Sequence, residues 1–188
     1  RPTTLITAEA LPEYPARWYE EGISVGITSF KQSADYPTTG FKTGSFFPRV
    51  LALQEAASKN LEEALWYTSD NHLAESCFCN VFLVLSDKVC TPPLDTPVLA
   101  GIVRKAVIEL CGALELKCDD RTPLTIREML AADEIFLTSS CSGIRPVVRV
   151  ERHGVGDEKP GPVTGRIMSA YRELLERECP ASQRPKVD

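Results

Sequence analysis

Two residues of this chain have side chains whose order and surroundings suggest joint chemistry. Lys42 lies in Phe41-Lys42-Thr43-Gly44-Ser45, and Glu75 opens Glu75-Ser76-Cys77-Phe78-Cys79-Asn80-Val81-Phe82. A lysine amine can attack an aldehyde and form an imine. A carboxylate can accept a hydrogen bond from a protonated ring nitrogen and so keep that ring electron-poor. Together they supply what is needed to hold and use an aldehyde-bearing nitrogen heterocycle. Further on, Leu99-Ala100-Gly101-Ile102-Val103-Arg104 places a glycine before an amphipathic run. The unpaired amides and positive dipole end of a helix start suit an anion such as phosphate. Ser139-Ser140-Cys141, between two strand-like segments, reads by itself as an ordinary turn that carries two hydroxyl donors.

The elements that must position these residues are legible in outline. Residues 3–8 read as a strand, Leu11-Pro12-Glu13-Tyr14-Pro15 as a connector, and 22–28 as a second strand. From Ser45 a helical period predicts an inward face of Phe46, Val50, Leu53 and Ala57, with Ser45 capping and Pro48 tolerated in the first turn. Strands are expected at 64–68, 80–85, 88–91, 134–138 and 147–150. Gly101 opens a helix with the stripe Ile102, Val103, Ala106, Val107, Leu110 and Cys111. Thr125-Ile126-Arg127-Glu128 is a capping box. A last helix over about 163–178 should turn Val163, Ile167, Tyr171, Leu174 and Leu175 inward. Antiparallel-looking strands mixed with helices, without regular alternation, make the fold class α+β.

The bulk numbers narrow the function. A chain of 188 residues with 43% hydrophobic and 25% charged content has the composition of a globular protein. A net charge of −5 without a Lys/Arg cluster argues against a nucleic-acid partner, and no apolar run approaches a membrane span. The seven cysteines are scattered, and Cys77-Phe78-Cys79 lacks the spacing of a zinc site, so reduced thiols and a cytoplasmic location are expected. His72 and His153 sit in polar, turn-like surroundings and Glu62-Glu63 reads as a solvated loop.

With these motifs in this order, the sequence resembles the class IV aminotransferases, which include D-amino-acid and branched-chain aminotransferases and aminodeoxychorismate lyase. The resemblance implies pyridoxal 5′-phosphate as cofactor, with Lys42 forming its aldimine and later shuttling the proton at the substrate's Cα. That role requires the amine to be held neutral, which burial favours. It implies Glu75 at the pyridine nitrogen, Leu99 packed on the ring, and phosphate bound by Gly101, Ile102 and Val103 and by Ser139 and Ser140. The family usually has threonine at Val103, so only a backbone contact is expected there, while Ser140 stands for another threonine. Cys141 is read as a buried thiol without a chemical role, the alternative being a place at the border of the substrate's carboxylate pocket.

The expected activity is a transamination that converts an amino acid to its 2-oxo acid, in a homodimer with small-molecule partners. The alternatives are the lyase, which releases pyruvate, and an inactive fragment. Branched-chain enzymes carry a tyrosine five residues after the lysine; Phe47 stands there, which leans towards the D-amino-acid and lyase side, as does Glu75-Ser76-Cys77. The resemblance divides the chain into the end of a truncated small N-terminal domain (1–13), a linker and entry strand (14–41), a large cofactor-binding domain (42–180) and a tail (181–188). The sequence is therefore expected to begin inside a larger protein.

Overall fold

The computed structural model describes residues 3–10 and 13–179. Leu11 and Pro12 of the expected connector, and the expected tail 181–188, lie outside the described residues. The elements run α1 (Arg17–Glu20), β1 (Ile23–Gln32), α2 (Phe47–Ser58), β2 (Glu63–Thr68), β3 (Leu73–Ser76), β4 (Asn80–Leu85) and β5 (Lys88–Cys90). They continue with α3 (Ile102–Ala113), β6 (Lys117–Asp119), α4 (Ile126–Leu130), β7 (Glu134–Ser139), β8 (Gly143–Val150), β9 (His153–Gly154) and α5 (Pro162–Glu178).

Successive side chains of a strand point to opposite faces, and β4 shows the consequence. Val81 and Leu83 join a core with Ile23, Val25, Leu65, Leu73, Ile135, Leu137 and Val147. Phe82 and Val84 join another with Phe136, Val103 and Val107 of α3, and Val163 and Ile167 of α5. The Phe82 and Phe136 rings stack with centroids 4.8 Å apart. A third cluster seats Ala52 and Ala56 of α2 on Ala64 and Trp66 of β2. Because both faces are covered, the central strands read as unbroken apolar runs.

The strands form one sheet in the order β3-β2-β1-β8-β7-β4-β5-β6, with β9 on β8. β3 also pairs β4, so the path from β3 through β2, β1, β8 and β7 to β4 closes on itself. The closing pair has one register match, Glu75 opposite Asn80. β1 runs parallel to both β2 and β8, and β5 parallel to β6. The α+β class thus holds with a mixed sheet, where an antiparallel one was expected. Helix ends are secured locally: Thr125 and Glu128 complete the capping box of α4. Glu134 on β7 accepts the Val163 and Thr164 amides at 2.9 and 2.7 Å, capping α5 from outside its own sequence.

Several expectations are corrected. Residues 3–8 form no strand and Leu5 and Ile6 are exposed; both edges of β1 are taken by β2 and β8, so no open edge of β1 is offered. On α2 the buried pair is Ala52 and Ala56, while Phe46 and Val50 are each 40% exposed. Phe30 stacked on Trp66 already fills the space beside β2, so only small side chains fit against it. Ser45 does not cap α2; the cap position is Phe46, without a side-chain bond. On α5 Val163 and Ile167 are buried, but Leu175 is exposed. The short β3, β6 and β9 carry too few residues for a periodic signal.

Candidate active site

Glu75 closes the sheet circuit at β3 and is buried. Its Oε1 accepts from Arg49 Nη2 of α2 at 2.6 Å and from Gln32 Nε2 of β1 at 3.2 Å. Its Oε2 accepts the Leu99 amide at 3.0 Å. One carboxylate therefore ties together β1, β3, α2 and the segment that opens α3. Asn80 braces the same segment, its Nδ2 donating to the Leu99 carbonyl at 2.8 Å. A Cβ at Gly101 would stand 2.0 Å from Asn80 Oδ1, so only glycine lets this approach exist.

Helix α3 begins at Gly101 with no side-chain cap, and its first internal bond runs from the Lys105 amide to the Gly101 carbonyl at 3.0 Å. The amides before Lys105 are the unpaired donors of an α-helix start. Val103 is buried in the core with Phe82 and Val107, which explains why an apolar side chain is tolerated there. Across the cavity, Ser139 Oγ is engaged by Ser142, with the hydroxyls 2.8 Å apart and the Ser142 amide donating at 3.1 Å. Ser140 and Cys141 are exposed at the cavity edge, so the expectation of a buried Cys141 is corrected. Thr138, in the same wall, has a buried hydroxyl that lacks a partner among the described residues.

Lys42 follows a succession of turns through Ser33, Tyr36, Thr38 and Phe41, in which Gly40 adopts a positive φ of 81°. It is exposed rather than buried, at the wall of a cavity of about 610 Å³. Glu75, Leu99, Gly101, Ile102, Val103, Ser139 and Ser140 line that same cavity. Its size falls within the range of small-molecule sites. Phe47 is 78% exposed and is not among the lining residues, so that position contributes no wall here.

Sequence reasoning missed a second polar group in the wall. Glu63 is not a loop residue: it is buried in β2, 3.6 Å from the buried Arg145 guanidinium of β8. Arg145 also donates to Cys79 Sγ at 3.1 Å and lies 5.3 Å over the Trp18 ring. Burial pushes the Glu63 carboxyl up, against the pull of Arg145. Burial and then Glu63 push the Cys77 thiol up to about 12, so this cavity-lining cysteine is a neutral wall group, not a nucleophile. Charged residues interrupting apolar segments, Arg145 in β8 and Arg49 in α2, were the available signal. Gln32 gave none.

Residues 1–150 match the family Amino-transferase class IV. The chain belongs to the class IV aminotransferase family. It is 34% identical over 157 residues to a probable branched-chain-amino-acid aminotransferase of Thermotoga maritima, covering 83% of this chain and 56% of that protein. The crystal structure of the Escherichia coli branched-chain amino acid aminotransferase superposes with a TM-score of 0.80 at 29% identity, over 85% of this chain and 53% of that one. A putative 4-amino-4-deoxychorismate lyase from Legionella pneumophila shares the fold, with a TM-score of 0.78 at 21% identity, over 89% and 59% of the two chains. The chain spans about half the length of the curated relatives it matches. Class IV aminotransferases depend on pyridoxal 5′-phosphate. The cavity has features such a group requires: a buried carboxylate with acceptor capacity left, an uncapped helix start and an unpartnered hydroxyl. Among the described residues no helix is long and apolar enough to cross a membrane.

Proposed function

We propose that this chain carries the cofactor site of a pyridoxal-phosphate-dependent aminotransferase converting an amino acid to its 2-oxo acid. The observation that carries the reading is that Lys42 and Glu75 line one cavity together with residues 99–103 and 139–142. When bound, the cofactor supplies an electron sink for the carbon acid. The residues divide the rest of the work. Lys42 Nζ would hold the cofactor's aldehyde and, once the substrate's amine has displaced it, would be the free amine that moves the proton at the substrate's Cα. Glu75 accepts from the ring nitrogen through Oε2, which has a lone pair beyond the Leu99 amide. Leu99 packs on the ring. The amides of Ile102 and Val103, with Gly101 allowing the approach, and the hydroxyls of Ser139 and Ser140 bind the phosphate. Cys77 and the Glu63–Arg145 pair shape the wall beyond.

Branched-chain amino acids are the first substrates of choice, given the names of the relatives. The lyase is the second reading, favoured by the Glu75-Ser76-Cys77 segment, which lines the cavity. We include a homodimer in the proposal, because Phe41 and Ile102 are lining residues that remain 74% and 80% exposed. A reducing, cytoplasmic setting fits the seven free cysteines.

Purified protein mixed with pyridoxal phosphate is expected to show an imine absorbance band that Lys42→Ala abolishes. Branched-chain and D-amino acids and aminodeoxychorismate, assayed for oxo acid or pyruvate, then separate transaminase from lyase. A wild-type chain that stays colourless with excess cofactor would sink both readings and leave an inactive fragment.

A further inference from the structure

The acceptor capacity of Glu75 is finite, and the structure shows how it is divided. A carboxylate offers two oxygens with about two lone pairs each. Oε1 is filled by Arg49 at 2.6 Å and Gln32 at 3.2 Å. Oε2 holds only the Leu99 amide, at 3.0 Å, so one acceptor position remains and it belongs to that oxygen. Arg49 is itself anchored. Its Nη1 donates to the Ser76 and Cys77 carbonyls at 2.7 and 3.2 Å, and its guanidinium lies 5.1 Å from the Trp66 ring centroid. One rigid planar fork thus grips the Glu75 side chain and the main chain immediately after it. A lysine would supply the charge but not this geometry.

We propose that Arg49 is a positioning residue for recognition of the cofactor's ring nitrogen. By saturating Oε1 it fixes the rotation of the Glu75 carboxylate, so that Oε2 alone presents a free acceptor to the ring N–H. The terminal torsion of a glutamate is otherwise broad, which would leave the direction of that acceptor undefined. Gln32 shares the task by holding Oε1 from β1, and its Oε1 in turn accepts from Arg49 at 3.2 Å. The inference rests on the pyridoxal-phosphate reading above and assigns to Arg49 no contact with the cofactor.

The test uses pyridoxal phosphate labelled with ¹⁵N in the ring, bound to the wild type, Arg49→Met, Arg49→Lys and Glu75→Ala. The wild-type ring nitrogen is expected at the shift of a protonated pyridine. Arg49→Met should move it towards the neutral value and weaken cofactor binding about tenfold or more. Arg49→Lys should fall between the two, and the pH midpoint of the imine absorbance should move in the same order. A folded Arg49→Met with the wild-type ring shift overturns the proposal. If that variant does not fold, Arg49→Lys decides alone, since a shift identical to wild type would show the fork to be dispensable. A wild type that takes up no cofactor, or a Glu75→Ala variant with an unaltered ring shift, overturns the parent reading too. A normal Glu75→Ala response beside silent Arg49 variants overturns only the role of Arg49.

Discussion

Gly101 shows how much one missing methyl group can decide. Its backbone lies so close to Asn80 that an added Cβ would overlap the amide oxygen, and Asn80 is occupied in holding the Leu99 carbonyl. Gly101→Ala must therefore push Asn80 aside or shift the start of α3. Overpacking of this kind costs about 1–3 kcal/mol. The expected outcome is a lower thermal midpoint together with weakened pyridoxal-phosphate binding, checked by calorimetry and by cofactor titration. Unchanged affinity would mean that the helix start does not take part in binding. At this scale the legible residues are those that follow a local pattern, such as Gly101 before a stripe of apolar residues or Glu75 before a strand. Those whose partners are distant in the chain are not legible. Arg49 and Gln32 meet Glu75 only because β2 sets β1 two strands from β3 and α2 packs on β1 and β2, and Glu63 meets Arg145 across strands more than eighty positions apart.

Elements long enough to show a period were read correctly in kind and nearly in place, including β4, α3 and α5. The errors concern faces and short pieces. The buried face of α2 was misjudged because size, not hydrophobicity, selected it, with Ala52 and Ala56 fitting where Phe46 and Val50 do not. The short β5 and β6 are fastened by polar contacts that periodicity cannot reveal. Asp119 at the end of β6 accepts the Arg121 and Thr122 amides at 3.1 Å each, the Thr122 hydroxyl at 2.9 Å and Lys88 of β5 at 3.1 Å. The Arg121 amide foremost, then Lys88 and Thr122, hold its carboxyl well below the usual carboxylate range. Its charged form is thus favoured by folding. The stabilisation is present above the ordinary carboxylate pKa of about 4 and is lost as pH falls through the lower folded value. Asp119→Asn should lower the thermal midpoint by about 1–3 °C at pH 7. The gap from wild type should close as the pH drops below about 4, which parallel melts across pH would show. A gap that widened in acid would refute the assignment.

For the molecule as a whole, the relation between sheet and cavity matters most. The run from Glu75 through Asn80 lines the cavity without interruption, and it is also where the strand circuit returns to its beginning. The sequence showed this stretch as a motif beside a strand. That it joins two ends of a ring depends on the pairing of β4 with β7 and of β3 with β2, which no local pattern encodes.

The chain itself joins that ring through residues 77–79, and the pairing at this join is one rung, Glu75 opposite Asn80, with the Ser76 amide reaching the Cys79 carbonyl at 2.8 Å beside it. A clasp held by so few hydrogen bonds opens cheaply, so main-chain protons of residues 76–80 should trade with solvent sooner than those of β7 or β8. Anything seated on Glu75 and the Leu99 segment straddles the clasp and keeps it shut. Deuterium uptake followed by mass spectrometry should therefore slow in this stretch when pyridoxal phosphate is added. The same uptake with and without it would mean that occupancy and closure are independent.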